Sequence, residues 1–100
     1  MLSYEVTMQL ENPELAQSLE TYMCDKHLAE VFASGCFLDA RFERSAPDVY
    51  RTRYTVASQA ELDRYVAEYA PQMRADFLAH FPSGLRISRA VWEGIGPTLS

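Results

Sequence analysis

The chain has 100 residues, 48% of them apolar, with fourteen acidic side chains against nine basic ones and a formal charge of −5. That length supports one domain around one core, and the acidic balance gives no general attraction for nucleic acid. No apolar run reaches the roughly 18 residues of a membrane span, and the opening Met1-Leu2-Ser3-Tyr4-Glu5 has no signal-peptide pattern, so no membrane partner is expected and the cytoplasm is the expected compartment. Cys24 and Cys36 are too few for a disulfide framework and are expected as thiols.

Residues 2–11 alternate strictly. Leu2, Tyr4, Val6, Met8 and Leu10 take one parity, and Ser3, Glu5, Thr7, Gln9 and Glu11 the other. Period two predicts a strand with one buried face. Asn12-Pro13 reads as an N-cap followed by proline in the first helical turn. Leu15, Ala16, Leu19, Tyr22 and Met23 then fall at helical spacing. The pattern loosens around Asp25-Lys26-His27, resumes with Leu28, Val31 and Phe32, and stops at Ser34-Gly35, where glycine suits the left-handed position that ends a helix.

A second strand is expected from about Cys36 to Arg44, with Cys36, Leu38, Ala40 and Phe42 on one face and Phe37, Asp39, Arg41 and Glu43 on the other. Ser45-Ala46-Pro47-Asp48 is turn chemistry and leads into a third strand over about 49–57, antiparallel to the second. Ser58-Gln59-Ala60-Glu61 matches a capping box, and Leu62, Tyr65, Val66, Tyr69, Met73, Phe77 and Phe81 continue as a helical stripe. Pro71 inside that run predicts a kink or break. Pro82-Ser83-Gly84 ends the helix, a last strand covers about 85–92, and 94–100 is expected as a tail after a single domain over 1–93.

The order is βαββαβ, which predicts an α+β, ferredoxin-like fold: a four-stranded antiparallel sheet with two helices on one face, strands one and three central. Two helices can cover only one face. Parity assigns to that face Tyr4, Val6, Met8, Leu38, Ala40, Phe42, Tyr54, Val56, Ile87 and Val91. The open face then carries Phe37, Asp39, Arg41, Arg51, Arg53 and Trp92 together with Glu5, Glu43 and Arg86. Charges of both signs beside two large aromatics suit a face that packs against a second copy, with acids of one meeting arginines of the other. These residues are the expected dimer interface or, failing that, a surface for an acidic ligand.

Four segments carry a resemblance: the strand Ser3-Tyr4-Glu5-Val6-Thr7, the stretch from His27 to Phe37, the strand Tyr50-Arg51-Thr52-Arg53-Tyr54, and Arg74-Ala75-Asp76-Phe77 with Phe81-Pro82. Over residues 3 to about 93 they resemble a family of small bacterial proteins known only as a domain of unknown function. That family is similar in fold to the dimeric α+β-barrel superfamily, which pairs ferredoxin-like sheets face to face and includes antibiotic-biosynthesis monooxygenases and small ligand-sensing domains. The resemblance implies a fold and a homodimer, and it implies no reaction.

The residues themselves offer little catalytic signal. No nucleophile motif, phosphate loop, dinucleotide fingerprint or paired-carboxylate signature occurs. Cys24, His27, Cys36 and His80 could formally hold zinc, but a single C-x-x-H without a second pair is a weak signature, so no metal and no cofactor are expected. His80 reads as a surface residue complementing its helix dipole. His27, where the first helix loosens, reads first as a helix-terminal histidine bonding the last carbonyls, and as a candidate general base beside Tyr54. The expectation is a homodimeric, non-catalytic binding or interaction module. The alternative is a cofactor-independent monooxygenase-like or isomerase-like enzyme acting on a small aromatic molecule in the helix–sheet cleft, with a cavity at His27 as the feature that would favour it.

Overall fold

The structure is a computed structural model and describes residues 1–100. β1 (Leu2–Leu10), β2 (Asp39–Ala46), β3 (Val49–Val56) and β4 (Leu85–Glu93) form one antiparallel sheet in the order β2-β3-β1-β4. This is the ferredoxin-like arrangement, with the first and third strands central. Residues 94–100 follow β4 without regular secondary structure.

The first helical region is a composite. Asn12 caps a 3₁₀ turn (Pro13–Leu15) by accepting from the Glu14 amide at 3.1 Å. α1 (Ala16–Tyr22) runs into a π-helical segment (Met23–His27) and on into α2 (Leu28–Phe32). The loosened apolar pattern at Asp25-Lys26-His27 is thus the signature of a π-turn rather than of a break, since a wider turn displaces the apolar stripe from its 3.6-residue spacing. One consequence is that Val31 is buried while Phe32 is exposed. Gly35 ends the helix with φ +75°, the left-handed conformation expected there.

α3 (Gln59–Glu68) and α4 (Ala70–His80) are separate helices hinged at Tyr69, with Pro71 in the first turn of α4, where a missing N–H costs nothing. Ser58 Oγ accepts from the Glu61 amide at 3.3 Å, but the Glu61 carboxylate turns to Arg64 at 2.9 Å, so half of the capping box forms. Gly84, φ +88°, closes the return into β4. A Cβ there would stand 2.7 Å from Leu15 Cδ1, and its carbonyl accepts from the amides of Glu11 and Asn12.

The strand register bears out the parity reading for most of the sheet. Tyr4, Tyr54 and Ala40 share one cross-strand row, as do Val6, Thr52 and Phe42, while Glu5, Arg53 and Arg41 form a row on the opposite face. Phe37 is the correction. It was expected on the open face, yet it is 5% exposed and stacks on Tyr54 and Tyr65 with ring centroids 4.7 and 4.8 Å away. Leu38, expected inside, is 54% exposed. Both reversals have one cause: β2 starts only at Asp39, so residues 36–38 lie before the pleat and its alternation does not apply to them.

The interior divides into two clusters. One contains Tyr4, Phe37, Tyr54, Val56, Leu62 and Tyr65; the other contains Met8, Leu19, Met23, Tyr50, Phe77 and Phe81. Val6 and Leu28 touch both. At β4 the helical cover runs out: Leu85 and Ile87 are half-buried, whereas Val91, which has inward parity, is exposed.

Candidate functional site

Between the two clusters, under the incomplete cover of β4, lies a cavity of ≈ 250 Å³. Its floor is the sheet, from Val6, Met8, Thr52, Tyr54 and Ile87, and its walls are Met23 and His27 on one side and Met73 and Phe77 on the other. It adjoins a shallower vestibule of ≈ 390 Å³ that includes Leu62, Val66 and Val91; Tyr4, Arg74 and Arg89 line both spaces. Apolar walls with a few placed polar groups are the usual make-up of a small-molecule site, and the inner volume suits one aromatic ring with small substituents.

Thr52 supplies the sharpest polar feature of the floor. It is 1% exposed, and its Oγ1 is the one buried side-chain oxygen or nitrogen without a hydrogen-bond partner. An unpaired buried hydroxyl is costly, and this one is shielded even from the cavity that Thr52 lines. Burial pushes the Tyr54 phenol well above its usual range, with Tyr65 adding to the rise and Thr52 slightly offsetting it; the approach of the Tyr54 and Thr52 hydroxyls falls short of hydrogen-bond geometry. Tyr65 is pushed up to about 12, again mainly by burial. Both tyrosines are therefore neutral donors at physiological pH.

His27 stands on the cavity wall because of the π-turn. In an α-helix, residues five apart point in divergent directions, and the wider turn over Met23–His27 brings Tyr22 and His27 together. Their rings stack at 5.3 Å, and Tyr22 Oη lies 3.2 Å from His27 Nδ1. The Tyr22 hydroxyl donates its proton to Asp76 Oδ2 at 2.6 Å, so toward His27 it can only accept. Lys26, 2.8 Å from Asp76, and the Tyr22 hydroxyl hold that carboxyl below its usual range. Burial lowers the pKa of His27, against the opposing pull of Glu30 and Asp76. The result is a neutral imidazole with its proton on Nδ1 and its lone pair on Nε2, which bonds to no protein group. The expected bond from His27 to terminal helix carbonyls is replaced by this chain, while His80 does bond its helix, with Nδ1 2.9 Å from the Asp76 carbonyl.

The two candidate residues, His27 and Tyr54, thus line one cavity. Of the residues placed on the open face, Asp39, Arg41, Arg51, Arg53 and Trp92 share it, and Phe37 does not. Arg51 bonds Glu43 at 2.9 Å and lies 3.6 Å from Glu5; Arg53 lies 3.8 Å from Glu5; Trp92 Nε1 donates to Glu5 Oε2 at 3.1 Å; Thr55 donates to Asp39 at 2.8 Å. Cys24, His27, Cys36 and His80 do not converge, and no group of three or more His, Cys, Asp or Glu is gathered as a metal would require.

Sequence reasoning missed Thr52, Arg74 and Arg89. The signals were present. Arg89 interrupts the inward parity of Leu85, Ile87 and Val91, and Arg74 sits four residues after the buried Ala70 and three before the buried Phe77.

Comparison with solved structures shows the fold in proteins of low sequence identity. HapK from Hahella chejuensis superimposes with a TM-score of 0.74 at 15% identity, over 100% of this chain and 98% of its own. A monooxygenase from the gene ActVA-Orf6 of Streptomyces coelicolor, solved in complex with nanaomycin D, gives 0.74 at 16% identity, over 99% and 91%. SnoaB, a cofactor-independent oxygenase from Streptomyces nogalater, gives 0.69 at 9% identity, over 96% and 94%. No curated protein matches the sequence. A family model does, over residues 1–95, and the chain belongs to that family, described as Domain of unknown function (DUF4286).

Proposed function

We propose that this protein binds a small aromatic molecule in the cavity between its helices and its sheet. The observation that carries the reading is the unfilled space at the junction of two otherwise well-packed clusters, bordered by a neutral His27. Protein interiors are close-packed, so a hollow of this size lined by conformable methionines is a receptacle rather than a packing fault. Titration of a labelled sample with single-ring phenols, followed by amide chemical shifts, tests it. Shifts centred on Val6, Thr52, Leu78 and Ile87, lost in Leu78→Trp, are expected. Leu78 is exposed on the cavity rim, so the variant should fold; an unperturbed spectrum across the series would refute the reading.

A second reading, catalysis, is favoured by the Asp76–Tyr22–His27 chain. A base oriented by a second group, itself anchored by a third, is the arrangement that proton abstraction needs. Proton removal from a phenol or an enolisable ring carbon is the step shared by an isomerisation and by cofactor-independent oxygenation of an electron-rich ring. Two of the similar folds are described as a monooxygenase and a cofactor-independent oxygenase, which agrees with this reading. Exchange of ring protons for deuterium, catalysed by the native protein and abolished in His27→Gln, is expected; equal exchange in both would leave binding alone.

We place the protein in the cytoplasm, where its two free cysteines, Cys24 and Cys36, would stay reduced. We infer a homodimer built on the open sheet face. Most charges there are already paired within the chain, so Trp92, 59% exposed, would supply the burial and Arg41, with no carboxylate within 4 Å, the free charge. Light scattering should give a dimer that persists in high salt and dissociates in Trp92→Ala. A monomeric native protein would exclude the interface.

A further inference from the structure

Arg74 and Arg89 come from different elements, α4 and β4, and both line the inner chamber and the vestibule. Neither has a carboxylate within 4 Å. Of the other arginines, Arg44, Arg51, Arg53, Arg64 and Arg86 have one, and Arg41, on the opposite face of the sheet, does not. Asp63, also in the vestibule, is bonded by Gln59 at 2.9 Å. The sole protein bond of the pair is a long one, Arg74 Nη2 to Tyr4 Oη at 3.5 Å. Arg89 has the inward parity of β4, opposite Val6, a position otherwise given to apolar side chains. Two guanidinium groups without counter-ions at the rim of an apolar chamber make an anion receptor, and their planar forks fit a carboxylate.

The far end of the chamber has a different character. His27 lines the chamber, and its Nε2 bonds to no protein group, which leaves it a free acceptor. It answers a hydroxyl, which can donate to it.

Resting on the binding reading above, we propose that the ligand is an aromatic hydroxy acid. Its carboxylate lies between Arg74 and Arg89, its ring fills the apolar chamber, and its hydroxyl donates to His27. The ≈ 250 Å³ chamber limits it to a single ring.

The test is calorimetric titration of the native chain with 4-hydroxybenzoate and with its neutral isostere 4-hydroxybenzamide. The acid should bind about tenfold more tightly or better, a difference that charge-assisted bonds supply and the amide lacks. Arg74→Gln and Arg89→Gln should each bring the acid down toward the amide and leave the amide unchanged; both side chains are exposed, so neither variant threatens folding. Equal affinities for acid and amide, or arginine variants that alter neither, would overturn the anion assignment and leave the cavity reading standing. Failure of both compounds to bind would overturn the two together.

Discussion

The arginines on the two faces of the sheet are held differently. On the open face Arg51 and Arg53 flank Glu5, Arg51 also bonds Glu43, and Trp92 completes the set around the Glu5 carboxylate. On the helix side Arg74 and Arg89 line a cavity with no carboxylate within 4 Å of either, Asp63 of the vestibule being bonded by Gln59. Most charges of the open face are paired within one chain, Arg41 excepted, so a second copy could cover it without stranding most of them. The cavity is incomplete in charge and in volume, and beside it the buried Thr52 hydroxyl lacks a hydrogen-bond partner. The unmet charge and the unfilled volume are the features on which the binding proposal rests.

The largest effect separates the faces at Phe37. If it belongs to the core, Phe37→Ala should cost about 3–5 kcal/mol in denaturant unfolding, whereas Leu38→Ala should stay within about 0.5 kcal/mol. Comparable losses from both would return Phe37 to the open face.

Glu5→Gln probes the completeness of the open face. It removes the charge that Arg51 and Arg53 share, and we expect a loss of about 1–2 kcal/mol, smaller in high salt. A neutral outcome would mean that these arginines are satisfied by water, as exposed pairs often are.

Thr52→Val tests the deficit on the other side. It keeps the shape and deletes the orphaned hydroxyl, so the protein should gain about 1 kcal/mol in denaturant unfolding. A destabilised variant would show that Thr52 already has a partner.

The smallest effect concerns pH. The folded pKa of His27 lies below its unfolded value near 6.5, so the unfolded chain takes up the proton first as pH falls. Stability should therefore decline below pH 6.5 until the folded histidine is protonated too. Glu30 and Asp76 limit the decline, and Lys26 adds to it. Thermal melts of the native chain and of His27→Gln should converge at acid pH, and parallel curves would mean that the imidazole is not buried.

Local patterns in the chain carried most of the fold. Strict alternation in residues 2–11, Asn12-Pro13, Ser58 before its helix, Pro71 and Gly35 each act within a few residues, and each lies where its chemistry requires. The π-turn showed only as a lapse in periodicity, because an inserted residue disturbs spacing without announcing its geometry. Within the site, His27 and Tyr54 could be picked out by residue type, but their meeting in one cavity could not.

What the sequence by itself determined is the order of elements, the sheet that follows from it, and the facing of nearly every strand residue, since periodicity is a property of neighbours along the chain. The tertiary structure alone decided that Phe37 turns inward, that the helices leave β4 partly bare, and that Thr52, Arg74, Arg89 and His27, from four separate elements, border one hollow. A cavity is what packing leaves unfilled, and that depends on the relative placement of surfaces distant in sequence, which no local pattern encodes.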